Sequence, residues 1–288
     1  MAVVNITEVS NAVTYPKVIS DLMAPAFVKS TFMLNHVHAE DLPVMSLVKQ
    51  FQKEGSLTAA ALAESTALAV NANGELTRAA VDATVAKCAV SSGLSVEALQ
   101  FSNIDLATIT TRQAEAIARY VDNQILALFS GLSTTVTSVA GMTIDDIMLG
   151  QYNIYNSECP NKEVPLTCVL GWKGLYNIKK ELVQSGASVW SNPSYLTILQ
   201  GTPQPNGYQG SLPGINVFAT SGLASGGGDN YQAIFHPMWT FAGTFDSSPR
   251  QMSLNRPSEG LYMENVSYYF WACVEWNDLA GVFLKSDS

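Results

Sequence analysis

The pattern between residues 110 and 131 constrains this chain more than any other stretch. Ala114, Ile117, Ala118, Val121, Ile125, Leu128, Phe129 and Leu132 recur at steps of three and four. That spacing lays them along one side of a helix, as a stripe that must be buried against something. Arg112, Glu115, Arg119, Asp122 and Asn123 fall on the other face, with Glu115 and Arg119 placed for a four-apart ion pair. Thr110 followed by Gln113 has capping-box spacing, and Gly131 is placed to stop the helix in the left-handed region. At about 1.5 Å per residue the rod is roughly 30 Å long. A long extended region precedes it and an alternation of strand and helix patterns follows, so the rod is the spine of the fold.

The 288 residues suffice for one large domain or two smaller ones. Hydrophobic residues make up 47% but charged residues only 14%, against about 25% in an ordinary soluble domain. No apolar run approaches the roughly 18 residues of a membrane span, so lipid does not account for the missing charge. A surface covered by copies of the same chain does. The net charge of −9, from 24 acids and 15 bases, argues against a protein that grips nucleic acid through its phosphates. Any DNA is enclosed or tolerated rather than gripped. The first residues lack a basic segment followed by a continuous apolar one, so no secretion signal is expected. Cys88, Cys159, Cys168 and Cys273 lie far apart without a CxxC pair and read as reduced core residues. With no secretory route expected, the glycosylation triplets at Asn5 and Asn265 carry no meaning.

Along the chain, residues 1–47 are irregular and interrupted by Pro16, Pro25 and Pro43, as suits an arm laid over another surface. His36 and His38 would share one side of a strand. No spaced third ligand completes a metal site, so they read as surface histidines near Glu40 and Asp41. The segment 47–90 is alanine-rich and contains Asn73-Gly74, a strong hairpin signal. Strands over 66–72 and 75–85 would flank that turn, with an alanine-rich helix as the alternative. Too few large apolar residues occur there for the hairpin to stand alone. A short helix over 94–99, capped by Ser95, leads to the spine. Beyond the spine, Thr143 opens a helix to about 155 with Asp145 and Asp146 in its first turn. Then come a strand over 164–170, a helix over 171–184, strands over 194–199, 215–220 and 231–235, and a flexible loop over 225–229 that lacks the phosphate-cradle pattern. The apolar, aromatic run 266–276 reads as a buried strand, turned by Asn277-Asp278 into a last strand over 282–285.

Catalytic signatures are absent: no GxSxG, no HExxH, no Walker sequence and no dinucleotide glycine pattern. A histidine-dependent nucleophile would need His236, in Phe-His-Pro, which reads as a core or loop residue. No catalytic, cofactor-binding or metal-binding residue is assigned, and the chain reads as structural.

The order of segments resembles that of the major capsid proteins of tailed bacteriophages, with the α+β Hong Kong 97-type fold. The run from Gly210 to Ser221, GSLPGINVFATS, is similar to a recurring glycine-isoleucine-x-valine strand of that family, and the strand ending in Gly281-Val-Phe-Leu-Lys to its C-terminal hairpin. The resemblance covers the whole chain. It implies an N-terminal arm over 1–47, an E-loop hairpin over 48–90 and a P-domain with the spine helix over 91–140. An A-domain over 141–245 and returning P-domain strands over 246–288 complete it. It also implies a shell subunit without cofactors or enzymatic activity, assembled in a bacterial cytoplasm and residing in the virion. Its partners would be copies of itself in hexamers and pentamers, a separate scaffolding protein, a portal and a possible decoration protein, around DNA bound without sequence preference and without a membrane. Residues 1–47 are too short and irregular for a fused scaffolding segment. Between Gly55 and Val85 there is no lysine, with Lys53 and Lys87 only flanking, so covalent cross-linking of subunits is not expected. An encapsulin-type nanocompartment is the alternative, and a cytosolic α/β hydrolase using 141–245 a more distant one.

Overall fold

The computed structural model describes residues 25–27, 31–43, 46–54, 78–95, 106–138, 141–157, 163–184, 198, 207–223, 225–226, 229–246, 249–256 and 261–287. A 3-10 turn, Met33–His36, leads to β1 (His38–Asp41), β2 (Val48–Glu54), β3 (Arg78–Thr84) and β4 (Ala86–Ser95). Helix α1 (Leu106–Ala127) is followed by β5 (Thr134–Ser138), α2 (Ile144–Asn156), β6 (Leu166–Gly171) and α3 (Trp172–Gln184). Strands β7 (Tyr208–Leu212), β8 (Ile215–Thr220), β9 (Ser225–Gly226) and β10 (Asp229–Phe235) come next. Then β11 (Phe241–Phe245), β12 (Arg250–Arg256), β13 (Leu261–Glu275) and β14 (Gly281–Asp287) close the chain.

The spine is α1. Its stripe is buried as the spacing predicts, except that Leu128 is half-covered and Leu126 joins the core. Several local expectations fail. The helix begins at Leu106, a turn before Thr110, so Thr110 lies inside it and is buried. Gln113 does not cap: its amide donates to the Ser92 hydroxyl (2.7 Å) and the Asn265 carbonyl (3.0 Å), and its oxygen accepts from Ser267. Gly131 is not left-handed; the helix tightens into a 3-10 turn over Leu128–Gly131 instead. Among the described ion pairs Glu115–Arg119 does not occur. Asp122, placed by spacing on the polar face, is buried.

A seven-stranded sheet runs β5-β14-β10-β6-β8-β7, with β9 beside β10. Its side chains alternate between two covers. Leu166, Cys168 and Leu170 of β6, Val217 of β8, Ile234 of β10 and Leu284 of β14 face α2 and α3. Val169, Phe218, Phe235 and Phe283, one residue out of step on the same strands, face α1. Burial on both faces explains why LTCVLG is apolar without alternation. Helix α2 carries the capping box that the sequence supplies differently from α1: the Thr143 hydroxyl accepts from the Asp146 amide, and Asp146 accepts from the Thr143 amide.

A five-stranded sheet runs β1-β11-β13-β12, with β4 on the other side of β13. Helix α1 packs against β4 and β13 as well as the larger sheet, so one rod seals both. The expected C-terminal hairpin is not formed. β13 lies in the five-stranded sheet and β14 in the seven-stranded one, joined by a 3-10 turn over Asp278–Ala280. Pairing also crosses the divisions drawn from the sequence, since β14 pairs with β10 and β11 with β13.

The described part of the expected 75–85 strand, β3, has β2 as a neighbour. β3 pairs antiparallel with β2, from Val48↔Thr84 to Glu54↔Arg78. The expected strand over 66–72 and the Asn73-Gly74 turn lie outside the described residues, as do residues 1–24, the 194–199 strand apart from buried Ile198, and Cys159. Leu94 and Ser95 end β4 rather than opening a helix, and 96–99 lie outside the described residues. Of the expected loop at 225–229, Ser225 and Gly226 form a short strand against β10.

Candidate assembly surface

Three regions of the described surface carry features beyond packing: the stem of the hairpin, the segment before β1, and the outer side of α2 and α3.

The stem is fixed to its own chain. Val85, between β3 and β4, donates to the Leu47 carbonyl (2.8 Å) and is buried, so a nearly continuous extended run changes sheets there. Phe51 of β2 is buried with Ala83, Ala242 and Ala272. Next to it Trp239, Trp276 and His38 stack, with ring centroids 5.4 and 5.2 Å apart. The Trp276 indole donates to the Gln52 carbonyl (3.2 Å), which ties the β2 backbone to the five-stranded sheet. Charges finish the attachment: Lys49 reaches Glu40 (2.7 Å) and Lys53 reaches Asp278 (3.4 Å). The Lys49 ammonium, then His38, holds the Glu40 carboxyl below its ordinary range. Both pairs are partly exposed and add little to stability.

The segment before β1 is clamped by the spine. Both oxygens of Asp122 accept backbone N–H bonds, from Phe32 (3.3 Å) and Met33 (3.2 Å). These are free donors at the start of the 3-10 turn, which has no cap of its own. A carboxylate from a distant helix therefore serves as the cap. Burial pushes Asp122 up to about 6, against the pull of the two N–H bonds. Sequence reasoning missed this residue because its partners are backbone groups far away in the chain. The only available signal was an acid beside the apolar stripe.

The histidines do not meet. His36 is half-buried, edge-on against Phe218 and near Thr167, and partial desolvation lowers its pKa. It keeps part of its surface exposed. His38 is half-exposed and bonded to Glu40 (2.8 Å), as expected of a surface histidine. His236 is buried, its Nδ1 at 2.7 Å from the Pro237 carbonyl. No cluster of three metal-ligating side chains occurs among the described residues. Cys88, Cys168 and Cys273 are free thiols whose pKa burial raises, the opposite of an activated nucleophile. Among the described residues, a concavity of about 430 Å³ is lined by Ala107, Thr108, Thr111, Arg112 and Glu115 of α1. Among the described helices none is long and apolar enough to cross a membrane. Lys53 and Lys87, the lysines flanking the hairpin, are engaged within the chain, Lys87 over the Tyr268 ring at 4.6 Å.

Outward from the seven-stranded sheet, α2 and α3 leave Met148, Leu149, Tyr152, Trp172, Tyr176 and Val183 in water. Tyr152 and Tyr176 are 61% and 63% exposed. The inner sides of both helices, including Ile147, Ile154, Leu175, Ile178 and Leu182, enter one core. Glu181 of α3 accepts from the Ile144 amide of α2 (2.9 Å), so the helices form one layer.

No protein-family model matches the chain, and no curated protein matches it. Solved structures do. The chain is similar to the capsid of Ralstonia phage GP4, at 9% identity over 90% of this chain and 92% of that one, with a TM-score of 0.68. It is similar to the capsid of Cyanophage P-SCSP1u at 11% identity, 90% and 88% coverage and a TM-score of 0.65. A virus-like particle from Pyrococcus furiosus matches at 10% identity, 94% and 99% coverage and a TM-score of 0.60. Near-complete coverage in both directions at such low identity is likeness of fold. The chain has the α+β Hong Kong 97-type fold.

Proposed function

We propose that this chain is the subunit of a self-assembling icosahedral head shell that encloses a bacteriophage double-stranded DNA genome. The observation that carries the reading is the capsid fold over about nine-tenths of the chain. The exposed apolar layer on α2 and α3 and the 14% charged composition agree with it. In this reading residues 1–47 are the arm, 48–90 the E-loop, 91–140 and 246–288 the P-domain, and 141–245 the A-domain, with strand pairing woven across those limits. The role is structural rather than enzymatic. Hexamers and pentamers of the chain form the shell in the bacterial cytoplasm, with a separate scaffolding protein and a portal, and the finished subunit resides in the virion. Negative-stain microscopy of the purified chain tests this: closed icosahedral shells are expected, and dispersed monomers would refute it.

One observation favours a second reading, an encapsulin-type compartment: the likeness to the Pyrococcus furiosus particle covers 94% and 99% of the two chains. Its TM-score of 0.60 is below the 0.68 of the Ralstonia phage capsid. Particle contents decide between them. Nuclease-protected DNA in particles from the natural source supports the head shell, and an enclosed enzyme supports the compartment.

A further inference from the structure

We propose that the segment before β1, residues 25–37, is a releasable strap whose hold on α1 is set by the proton on Asp122. The strap is a property of the single chain and does not depend on the shell reading.

The strap crosses the spine from one sheet to the other. At its first end Phe27 is buried, its ring 5.0 Å from Tyr269 of β13 in the five-stranded sheet, and the Thr31 hydroxyl donates to its carbonyl. At its far end the His36 ring lies 4.7 Å from Phe218 of β8 in the seven-stranded sheet. There the His36 carbonyl accepts from the Met238 amide (3.0 Å). Between the two ends Met33 is fully buried, and the Phe32 and Met33 amides donate to Asp122.

Asp122 owes its burial to that crossing. Arg119, one turn earlier on the same side of α1, is exposed, as are Tyr120 and Asn123. Asp122 is covered, and the groups bonded over it are the strap's own amides. Closing the strap therefore takes a carboxyl out of water, and opening it gives the carboxyl back. Two N–H bonds offset the cost of the charge only in part; a proton removes the charge itself. The closed strap accordingly holds Asp122 at about 6, above the ordinary carboxylate value. Closure is strongest below that ordinary value and weakens as pH rises through 6. The packing of both sheets on α1 is apolar and does not titrate, so the strap loosens while the rest of the core stays closed.

His36, within the strap, acts in the opposite sense. Partial desolvation lowers its pKa, so its protonation weakens closure as pH falls below the ordinary imidazole range. The other elements in contact with α1 are β4, β13 and the 3-10 turn at its own end. β4 carries Lys87, held over the Tyr268 ring, β13 carries Glu264 and Glu275, and the turn carries no charge. On α1 itself Arg119 is exposed and Glu115 half-exposed. None of these is among the described bonding partners of Asp122. Lys29 belongs to the strap's sequence and lies outside the described residues.

Hydrogen exchange of the full chain tests the strap, measured by mass spectrometry from pH 4 to 8 and referred to the unfolded chain at each pH. Opening of peptides within 25–37 is divided by that of the same peptides in Asp122→Asn, so that His36, present in both chains, cancels. The ratio should rise on the order of 100-fold from pH 4 to 7, at about tenfold per unit up to 6. Peptides from β6 and β10 should stay protected throughout. His36→Gln alone should show the rise directly, and Lys29→Ala should leave it in place. A ratio that does not change with pH overturns the proposal. So does a rise shared by β6 and β10, which would be unfolding of the whole chain, or its loss in Lys29→Ala, which would put the control on Lys29. If Asp122→Asn does not fold, the His36→Gln profile decides: a rise supports the strap and a flat profile overturns it.

Discussion

The seven-stranded sheet is covered by α1 on one face and by α2 and α3 on the other; aliphatic and aromatic packing dominates it, with one buried polar link in which Gln232 of β10 donates to Ser286 of β14 and accepts from the Gly171 amide of β6. The five-stranded sheet meets α1 on one side and is pinned there by a polar group: Gln113 bonds to Ser92 of β4, to Asn265 and Ser267 of β13, and to Gln251 of β12. Its other attachment is the aromatic stack under the hairpin stem. In the larger sheet apolar packing carries most of the burial. The polar cluster and stack specify the position of the smaller sheet, and with it the direction of the hairpin.

The largest expected effect tests the junction. Val121 is fully buried where α1 meets both sheets. Val121→Asp should cost several kcal/mol and yield insoluble protein. A soluble variant with the unaltered melting midpoint would show that α1 does not seal the two cores.

Gln113→Leu breaks the polar anchor and leaves its partners buried without it. A loss of about 2–4 kcal/mol in denaturant unfolding is expected. The same cost from a surface variant such as Arg119→Ala, expected to change stability by under about 1 kcal/mol, would erase the distinction.

Asp122 sharpens the comparison through pH. Its folded pKa, about 6, is raised above the ordinary carboxylate value. A group raised on folding contributes stability that is fully present below the unfolded value and lost as pH rises through the folded one. The chain should therefore gain stability, by up to about 3 kcal/mol, as pH falls from 7 towards 4. Asp122→Asn should lack that part of the gain. Measuring both proteins across the same range cancels the other carboxyls, including Glu275, which burial and Asp278 also raise, and Asp278 itself. Parallel curves would show that Asp122 does not titrate in this window.

The smallest effect belongs to the stem. Lys53 and Asp278 are 31% and 42% exposed, so Lys53→Ala should lower stability by under about 1 kcal/mol. A loss above about 2 kcal/mol would mean that the pair, and not Phe51 with Trp276, holds the hairpin.

What could be read in advance follows the same division. Strands β6, β8 and β10 and helices α2 and α3 were legible because their burial is local: short runs rich in apolar residues between turns, or a helical apolar stripe, in α2 after Thr143. The segment order, with its resemblance to capsid proteins, led to the fold. Strand β2 was not legible. VKQFQKE shows one large buried residue, Phe51, and its partner strand begins only at Arg78. Gln113 and Asp122 were misplaced for a related reason. Each looks polar by spacing, and each is buried because groups far away in sequence supply its bonds. The separation of β13 from β14 was missed because a two-residue turn signal does not distinguish a hairpin from a change of sheet. For the assembly surface the sequence offered only low charge; the outer sides of α2 and α3 emerged once their inner sides were known.

Sedimentation velocity of the purified full chain tests the central claim, self-assembly through the chain's own apolar surfaces, most directly. The account predicts megadalton particles, or rings of five or six copies that grow into them as concentration rises. A single species at the mass of one 30.9 kDa chain, unchanged up to high concentration and across pH and salt, would contradict it.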